Sequence, residues 1–298
     1  MSLTPLDKKA ARRAFERAAP GYDRHSVLER EVESRLLERV ELFRNQPERV
    51  LDLGCGTGSG SDALSAQFKN AHIIALDWSP AMLAIAGKSG AGHVSKICAD
   101  MQAIPLATAS VDLVFSNLAL QWSVDLPAVF TEFRRIMKPG AMLVFTCYGP
   151  DTLLELRQAW LAVDDFPHVH DFPDMHDIGD MLMTAGFSEP VMDVERLTLE
   201  YRNVMSLLRE LKGSGSQNAA TQRFRGLTAR SRLLEMQRYY ERFRRDDRYP
   251  ASYEIIFGAS FAPAEGQPVR SPEGEIATFS IDALRSRSGT DNKCTENT

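Results

Sequence analysis

A chain of 298 residues with 44% hydrophobic content can bury a sizeable core, as one large domain or two small ones. Its net charge of −5 argues against a general nucleic-acid binder, and with no run of 18 apolar residues no membrane span is expected. Residues 1–20 lack the apolar centre of a secretion signal, and Asp7 and Glu16 argue against reading Lys8-Lys9-Ala10-Ala11-Arg12-Arg13 as a transit peptide. The four cysteines (Cys55, Cys98, Cys147, Cys294) are dispersed with no C-x-x-C pair, which fits neither a zinc site nor a disulfide framework and points to a reducing cytoplasm.

Residues 5–46 carry apolar side chains at helical spacing, from Ala11 and Phe15 through Leu28, Val32, Leu36 and Val40. Pro20-Gly21 divides them into two helices, and Tyr22 follows the break. From 48 to 147 apolar runs alternate with amphipathic stretches, the signature of an α/β fold whose parallel sheet has helices on both faces. Strands are expected at 49–53, 72–77, 93–97, 111–116 and 141–147, and helices at 59–69, 80–88 and 125–137. Ser79-Pro80 opens the second of these helices with a cap and a first-turn proline. Pro139-Gly140 is expected to end the third and turn the chain into the fifth strand.

The first strand runs into Asp52-Leu53-Gly54-Cys55-Gly56-Thr57-Gly58. Alternate glycines let the backbone take positive φ and let a ligand approach with no Cβ in the way. The helix that follows offers free N–H groups and the positive end of its dipole. The dinucleotide pattern G-x-G-x-x-G fails in the natural frames, because Ser59 and Ser61 stand in the third glycine's place. A shifted version, Gly58-x-Gly60-x-x-Ala63, would lie inside the helix. Asp77, nineteen residues after Gly58 at the end of the second strand, is placed to accept hydrogen bonds from ribose hydroxyls. This frame resembles the class I S-adenosylmethionine methyltransferases more than the NAD dehydrogenases, since a pyrophosphate needs the third glycine and S-adenosyl-L-methionine has no phosphate.

In such sheets ligands lie at the carboxyl ends of strands. That rule selects Asp77 and Trp78, Asp100 and Met101, and Asn117 and Leu118. Asp100 also suits a plain turn and Trp78 a plain core position, while Asp112, inside the fourth strand, reads as structural. The resemblance implies that Asp100 accepts from the adenine amino group, that Met101 lies against the ring and that Tyr22 covers the methionine end of the cofactor. The candidate cofactor residues are therefore Tyr22, Asp52, Gly54, Gly56, Gly58, Asp77, Trp78, Asp100, Met101 and Asn117.

Ser116-Asn117-Leu118-Ala119-Leu120-Gln121-Trp122 resembles the matching segment of the malonyl-[acyl-carrier protein] O-methyltransferases of biotin synthesis. So do Gly149-Pro150-Asp151-Thr152, Pro167-His168-Val169-His170, Leu211-Lys212-Gly213-Ser214-Gly215 and Arg248-Tyr249-Pro250-Ala251-Ser252-Tyr253, across about residues 10–260. The resemblance implies a Rossmann-like, mostly parallel seven-stranded sheet with an antiparallel last strand near Tyr253–Gly258. It also implies one domain over 1–262, with a helical lid at 5–46 and a helical insertion at 200–247. The expected reaction is methyl-ester formation on the free carboxyl of a malonyl thioester. Such a carboxylate is already anionic, so alignment replaces a general base, and an arginine from 196–248 is expected to hold it.

Gln121, Trp122, His168 and His170 are the candidate substrate residues. His168, His170 and His176 match no familiar metal spacing, so no metal is expected. Residues 151–195 hold eleven acidic side chains against Arg157, whereas 196–248 hold thirteen Lys/Arg against six Asp/Glu. Arg223, Arg225, Arg230, Arg232, Arg242, Arg244 and Arg245 could steer an acidic acyl carrier protein. The alternative reading is solvated faces of opposite sign. Gly213–Ser216 is expected to be a loop between helices, and 263–298 a tail that need not order, apart from the apolar patch 276–281. Three rivals share parts of the pattern: a protein-arginine hydroxylase assisting respiratory complex I assembly, a non-catalytic S-adenosylmethionine-binding scaffold, and a dehydrogenase.

Overall fold

Five of the strands form a parallel array, and all but the one at its edge are covered on both faces, which is why those four sequences run apolar without alternation. The five are β1 (Arg49–Leu53), β2 (His72–Asp77), β3 (Val94–Cys98), β4 (Val111–Ser116) and β5 (Met137–Tyr148). In β1 every residue from Val50 to Leu53 is buried. These five pair in parallel, with Leu51 opposite both Ile74 and Val114. Two more strands, β6 (Ser188–Tyr201) and β7 (Tyr249–Phe261), complete a seven-stranded sheet of order β3-β2-β1-β4-β5-β7-β6, with β7 antiparallel to both neighbours. The structure is a computed structural model that describes residues 5–41, 46–87, 94–264, 266–267, 269–271 and 274–276.

Ten helices are described: α1 (Lys8–Ala18), α2 (Tyr22–His25), α3 (Val27–Glu41), α4 (Ser59–Gln67), α5 (Pro80–Ile85), α6 (Leu126–Ile136), α7 (Leu154–Leu161), α8 (Met175–Thr184), α9 (Val204–Gly213) and α10 (Arg230–Tyr240). One face of the sheet packs on α3, α4, α7, α9 and α10 through side chains such as Leu36, Leu64, Leu207 and Tyr240. The other packs on α6 and α8 through Phe130, Phe133, Ile178 and Leu182. Side-chain caps fix several starts: Asp7 accepts from Ala10 N, Ser79 from Met82 N, Asp125 from Ala128 N and Asn203 from Ser206 N. None of the described helices is long and apolar enough to cross a membrane.

The expected strands and helices appear with shifted ends, and three differences have physical causes. The N-terminal region breaks twice rather than once, into α1, a 3-10 turn at Ala19–Gly21, α2 and α3. The helix α6 stops at Ile136, before Pro139-Gly140. Met137 is already paired with Val111, and the Pro-Gly sits inside β5 at a register shift, with Gly140 at φ +77°. A proline has no N–H to give a ladder, so an irregularity is where a strand tolerates it. The sequence reading did not find β6. It is an edge strand whose residues alternate in burial, and its acidic residues disguise it. Glu195 and Asp193 are taken up by α3, where Arg35 reaches Glu195 at 2.5 Å and Arg39 reaches Asp193 at 2.9 Å.

The expected last strand is present as β7, longer than expected and inserted between β5 and β6. Its Gly258 stands opposite Phe145, where a Cβ would lie 2.2 Å from the ring. Beyond it, Val269–Ser271 and Gly274–Ile276 pair antiparallel. Residue 93, residue 88 and the patch 277–281 lie outside the described residues, as does Cys294.

Candidate functional site

The turn after β1 sits where strand order reverses, between β2 and β4. Its three glycines all have positive φ, and each is required for a different reason. A Cβ on Gly54 (φ +73°) would lie 2.3 Å from Ala119 Cβ, and one on Gly58 (φ +91°) 2.9 Å from Ala86 Cβ. Gly56 (φ +53°) has nothing closer than Tyr22 Cε1 at 3.8 Å, so its missing side chain leaves open space. Gly54 N donates to Leu76 O, and Gly56 N donates to Asp77 Oδ2 at 3.0 Å. The turn is thereby tied to the end of β2.

Above it lies a cleft of about 570 Å³. Of the expected cofactor residues, Tyr22, Gly54, Gly56, Asp77, Trp78, Met101 and Asn117 line it. Asp77 is buried and also accepts from Ser79 N at 2.7 Å; burial pushes its carboxyl up to about 6. Met82, Ala99 and Met101 give the cleft an apolar wall. Asn117 is fixed at both ends, donating to Glu29 O and accepting from Thr146 Oγ1.

Three expected contacts are placed elsewhere. Asp52 is buried beneath the turn, where it accepts from Ser61 Oγ at 2.5 Å and burial raises its carboxyl to about 7. Gly58 serves the packing of α4 on the end of α5. Asp100 lies between two lining residues but turns to Lys8 Nζ at 2.8 Å and Gln102 N. The lining also includes Leu118, which the carboxyl-end rule picks out beside Asn117, and Phe15, which the sequence reading did not select. Leu118 is held at φ +45°, a strained value for a side chain bearing a Cβ.

A second cavity, of about 1250 Å³, shares Trp122 with the first. Trp122 packs edge-on to Phe15 (5.0 Å) and against His170 (5.2 Å). His168 and His170 both line this cavity. His168 stacks on Trp160 at 3.7 Å and pairs with Asp164 at 3.0 Å, while burial lowers its basicity. His170 is 5% exposed, and its Nε2 is buried without a hydrogen-bond partner among the described residues. Burial, then the charge of Arg157, lowers its pKa to about 4, so the ring is neutral at pH 7. Gln121 lines neither cavity; its amide folds back to donate to Leu118 O.

Among the described lining residues the one cationic side chain is Lys212, at the end of α9, and none of the expected arginines faces the cavity. Tyr148 and Tyr253 line it as well. Tyr148 ends β5, so the rule that selected Asp77 and Asn117 would have found it.

A methyltransferase-domain profile matches residues 51–145. The malonyl-[acyl-carrier protein] O-methyltransferase of Gallionella capsiferriformans is 47% identical over 268 residues, covering 87% of this chain and 92% of its own length. That of Methylovorus sp. strain MP688 is 47% identical over 266 residues, covering 87% and 90%. The chain belongs to the malonyl-[acyl-carrier protein] O-methyltransferase family. Solved structures at low identity share its fold: the YcgJ protein of Bacillus subtilis (16% identity, TM-score 0.56, 78% of this chain and 98% of that one) and the 4+2 cyclase SpnF (19%, 0.50, 78% and 81%). The chain is a S-adenosyl-L-methionine-dependent enzyme of the class I methyltransferase fold. The cleft fits that cofactor, with an open cradle at Gly56, a buried carboxylate at Asp77 and an apolar wall at Met82, Ala99 and Met101.

Against this family background the arginines of 196–248 separate into two groups. Arg223 pairs with Asp7, Arg232 with Asp164, and Arg244 with Glu241 and Asp247. Arg242 donates to Gln158, and the backbone of Arg245 bridges to Arg248. Arg225 reaches the carbonyl of Thr221 at 3.5 Å and its charge acts on Asp7, and Arg230 has no partner among the described residues. His176 is exposed beside Asp174. No group of three or more His, Cys, Asp or Glu among the described residues could hold a metal ion.

Proposed function

We propose that this enzyme converts the free carboxyl of a malonyl thioester, carried on acyl carrier protein or coenzyme A, to its methyl ester, an early step of pimeloyl and biotin synthesis in the cytoplasm. The observation that carries this reading is the pair of cavities meeting at Trp122, one a nucleoside cleft and the other apolar with an unsatisfied imidazole nitrogen. The names of the relatives support the same substrate. Residues 1–262 act as one domain in this reading, with the N-terminal helices as the lid.

The cofactor supplies a methyl group on a sulfonium; its bond to sulfur breaks as the bond to the acceptor oxygen forms, and both charges cancel without a proton moving. The protein therefore has to position and dehydrate. Asp77 accepts from the ribose hydroxyls, and Met82 and Met101 hold the base. Tyr22 and Phe15 close the cleft from the N-terminal side. Trp122 walls the acceptor, and neutral His170, as its Nε2–H tautomer, donates a hydrogen bond to the acceptor's carboxylate or thioester oxygen. Lys212 supplies the cationic rim that an arginine was expected to supply.

The test is to incubate the enzyme with methyl-labelled S-adenosylmethionine and malonyl-carrier protein and to look for a base-labile methyl ester. An ester on the malonyl group is expected. Absence of the ester with intact S-adenosylhomocysteine binding would refute the reading and favour the hydroxylase or scaffold.

A further inference from the structure

The second cavity opens beside a surface that the catalytic reading does not use. Its rim includes Lys212 and Thr228, and Thr228 follows Leu227, whose side chain is 98% exposed. Directly after this loop, α10 buries Met236 and Tyr240 and turns Arg230, Leu234 and Arg238 outward, one helical turn apart. Leu234 is 46% exposed and the adjacent Tyr239 40%. Arg230 and Arg238 have no ion-pair partner among the described residues, in contrast to Arg223, Arg232 and Arg244. From 221 to 240 the chain has five arginines and one acidic residue, Glu235.

A fully exposed leucine flanked by exposed arginines is a poor solvent-facing surface and a good anchor for a partner. Covering it removes apolar area from water, and the arginines supply charge complementarity. Its position at the rim means that a partner seated there presents whatever it carries to the cavity and to Trp122.

We propose that Leu227, Arg225 and the Arg230–Leu234–Arg238 face of α10 dock an acidic helical carrier protein, with Leu227 as the apolar anchor. This rests on the reading that the acceptor is a carrier-bound thioester. It also narrows the surface to arginines that form no ion pair with an acid among the described residues.

The test compares two substrates, malonyl-carrier protein and the small thioester malonyl-N-acetylcysteamine, in Leu227→Asp and in Arg230→Glu/Arg238→Glu. Loss of kcat/KM of about tenfold or more on the carrier substrate at low salt is expected, smaller at high salt, with the small thioester within about twofold of wild type. Unchanged kcat/KM on the carrier substrate would overturn the proposal, and so would equal loss on both substrates. If wild-type enzyme esterified neither, the functional reading would fail, and binding of fluorescently labelled carrier protein would judge the surface directly. Weaker binding by Arg230→Glu/Arg238→Glu would then uphold it, and unchanged binding would overturn it.

Discussion

Gly54→Ala and Gly56→Ala are the same chemical change two residues apart, and the structure predicts opposite consequences. At Gly54 the new methyl would sit 2.3 Å from Ala119 Cβ, well inside the 3.5–4.0 Å of a favourable carbon contact. Positive φ costs a residue with a Cβ about 1–2 kcal/mol, and overpacking about 1–3 kcal/mol more. A loss of roughly 2–5 kcal/mol in a chain of this size lowers Tm by on the order of 5–15 °C. At Gly56 the φ of +53° already lies in the left-handed basin and no atom comes within 3.8 Å, so only the conformational cost remains. There the methyl enters the cleft, and affinity for S-adenosylhomocysteine should fall about tenfold or more, a loss of about 1.4 kcal/mol. Thermal unfolding and titration calorimetry on both variants separate the effects. The reasoning is refuted if Gly54→Ala melts within about 2 °C of wild type, or if Gly56→Ala binds the nucleoside as tightly as wild type.

His170→Ala should raise KM for the malonyl thioester about 5- to 10-fold, the worth of about one hydrogen bond, while calorimetry shows S-adenosylhomocysteine affinity unchanged. Asp52 has a raised carboxyl in the folded protein, about 7. Its contribution to stability is therefore complete near pH 4 and lost as pH rises to about 7. Tm of the free enzyme, followed by scanning fluorimetry, should fall across that window more steeply in wild type than in Asp52→Asn; equal slopes would contradict the assignment. Arg232→Ala leaves Asp164, whose side chain is 8% exposed, without its guanidinium partner. A cost of about 1–3 kcal/mol is expected, and adding Asp164→Asn should recover part of the lost Tm.

The parallel half of the fold was legible because β1, β2, β4 and β5 are largely buried on both faces and run apolar, whereas β3, at the edge, is mostly exposed. The edge strand β6 was not, since half of it faces out and its Asp193 and Glu195 read as a charged surface until Arg35 and Arg39 of α3 are seen to meet them. The cleft followed from one rule, that ligands sit at the carboxyl ends of parallel strands, and Asp77, Trp78, Met101 and Asn117 line it accordingly. Tyr253 escapes that rule because its strand runs antiparallel. Asp52 and Gly58 belong to the same motif as Gly56 yet support the turn from behind, a distinction that spacing alone does not carry. An arginine of 196–248 was expected to hold the acceptor carboxylate, and the cationic side chain among the described residues lining the second cavity is Lys212. Gln121 has the right chemistry for a pocket wall, but it lines neither cavity and its amide nitrogen donates to the carbonyl of Leu118.

Trp122 lines both cavities, and if donor and acceptor occupy them as proposed, such a partition sets a reach requirement. An acceptor would then meet the methyl donor only with a group slender enough to pass the indole edge and far enough from its bulky carrier to arrive there. On the proposed reading the enzyme would sort acceptors by how far the carboxyl stands from its tether, and a branch near that carboxyl would meet the indole.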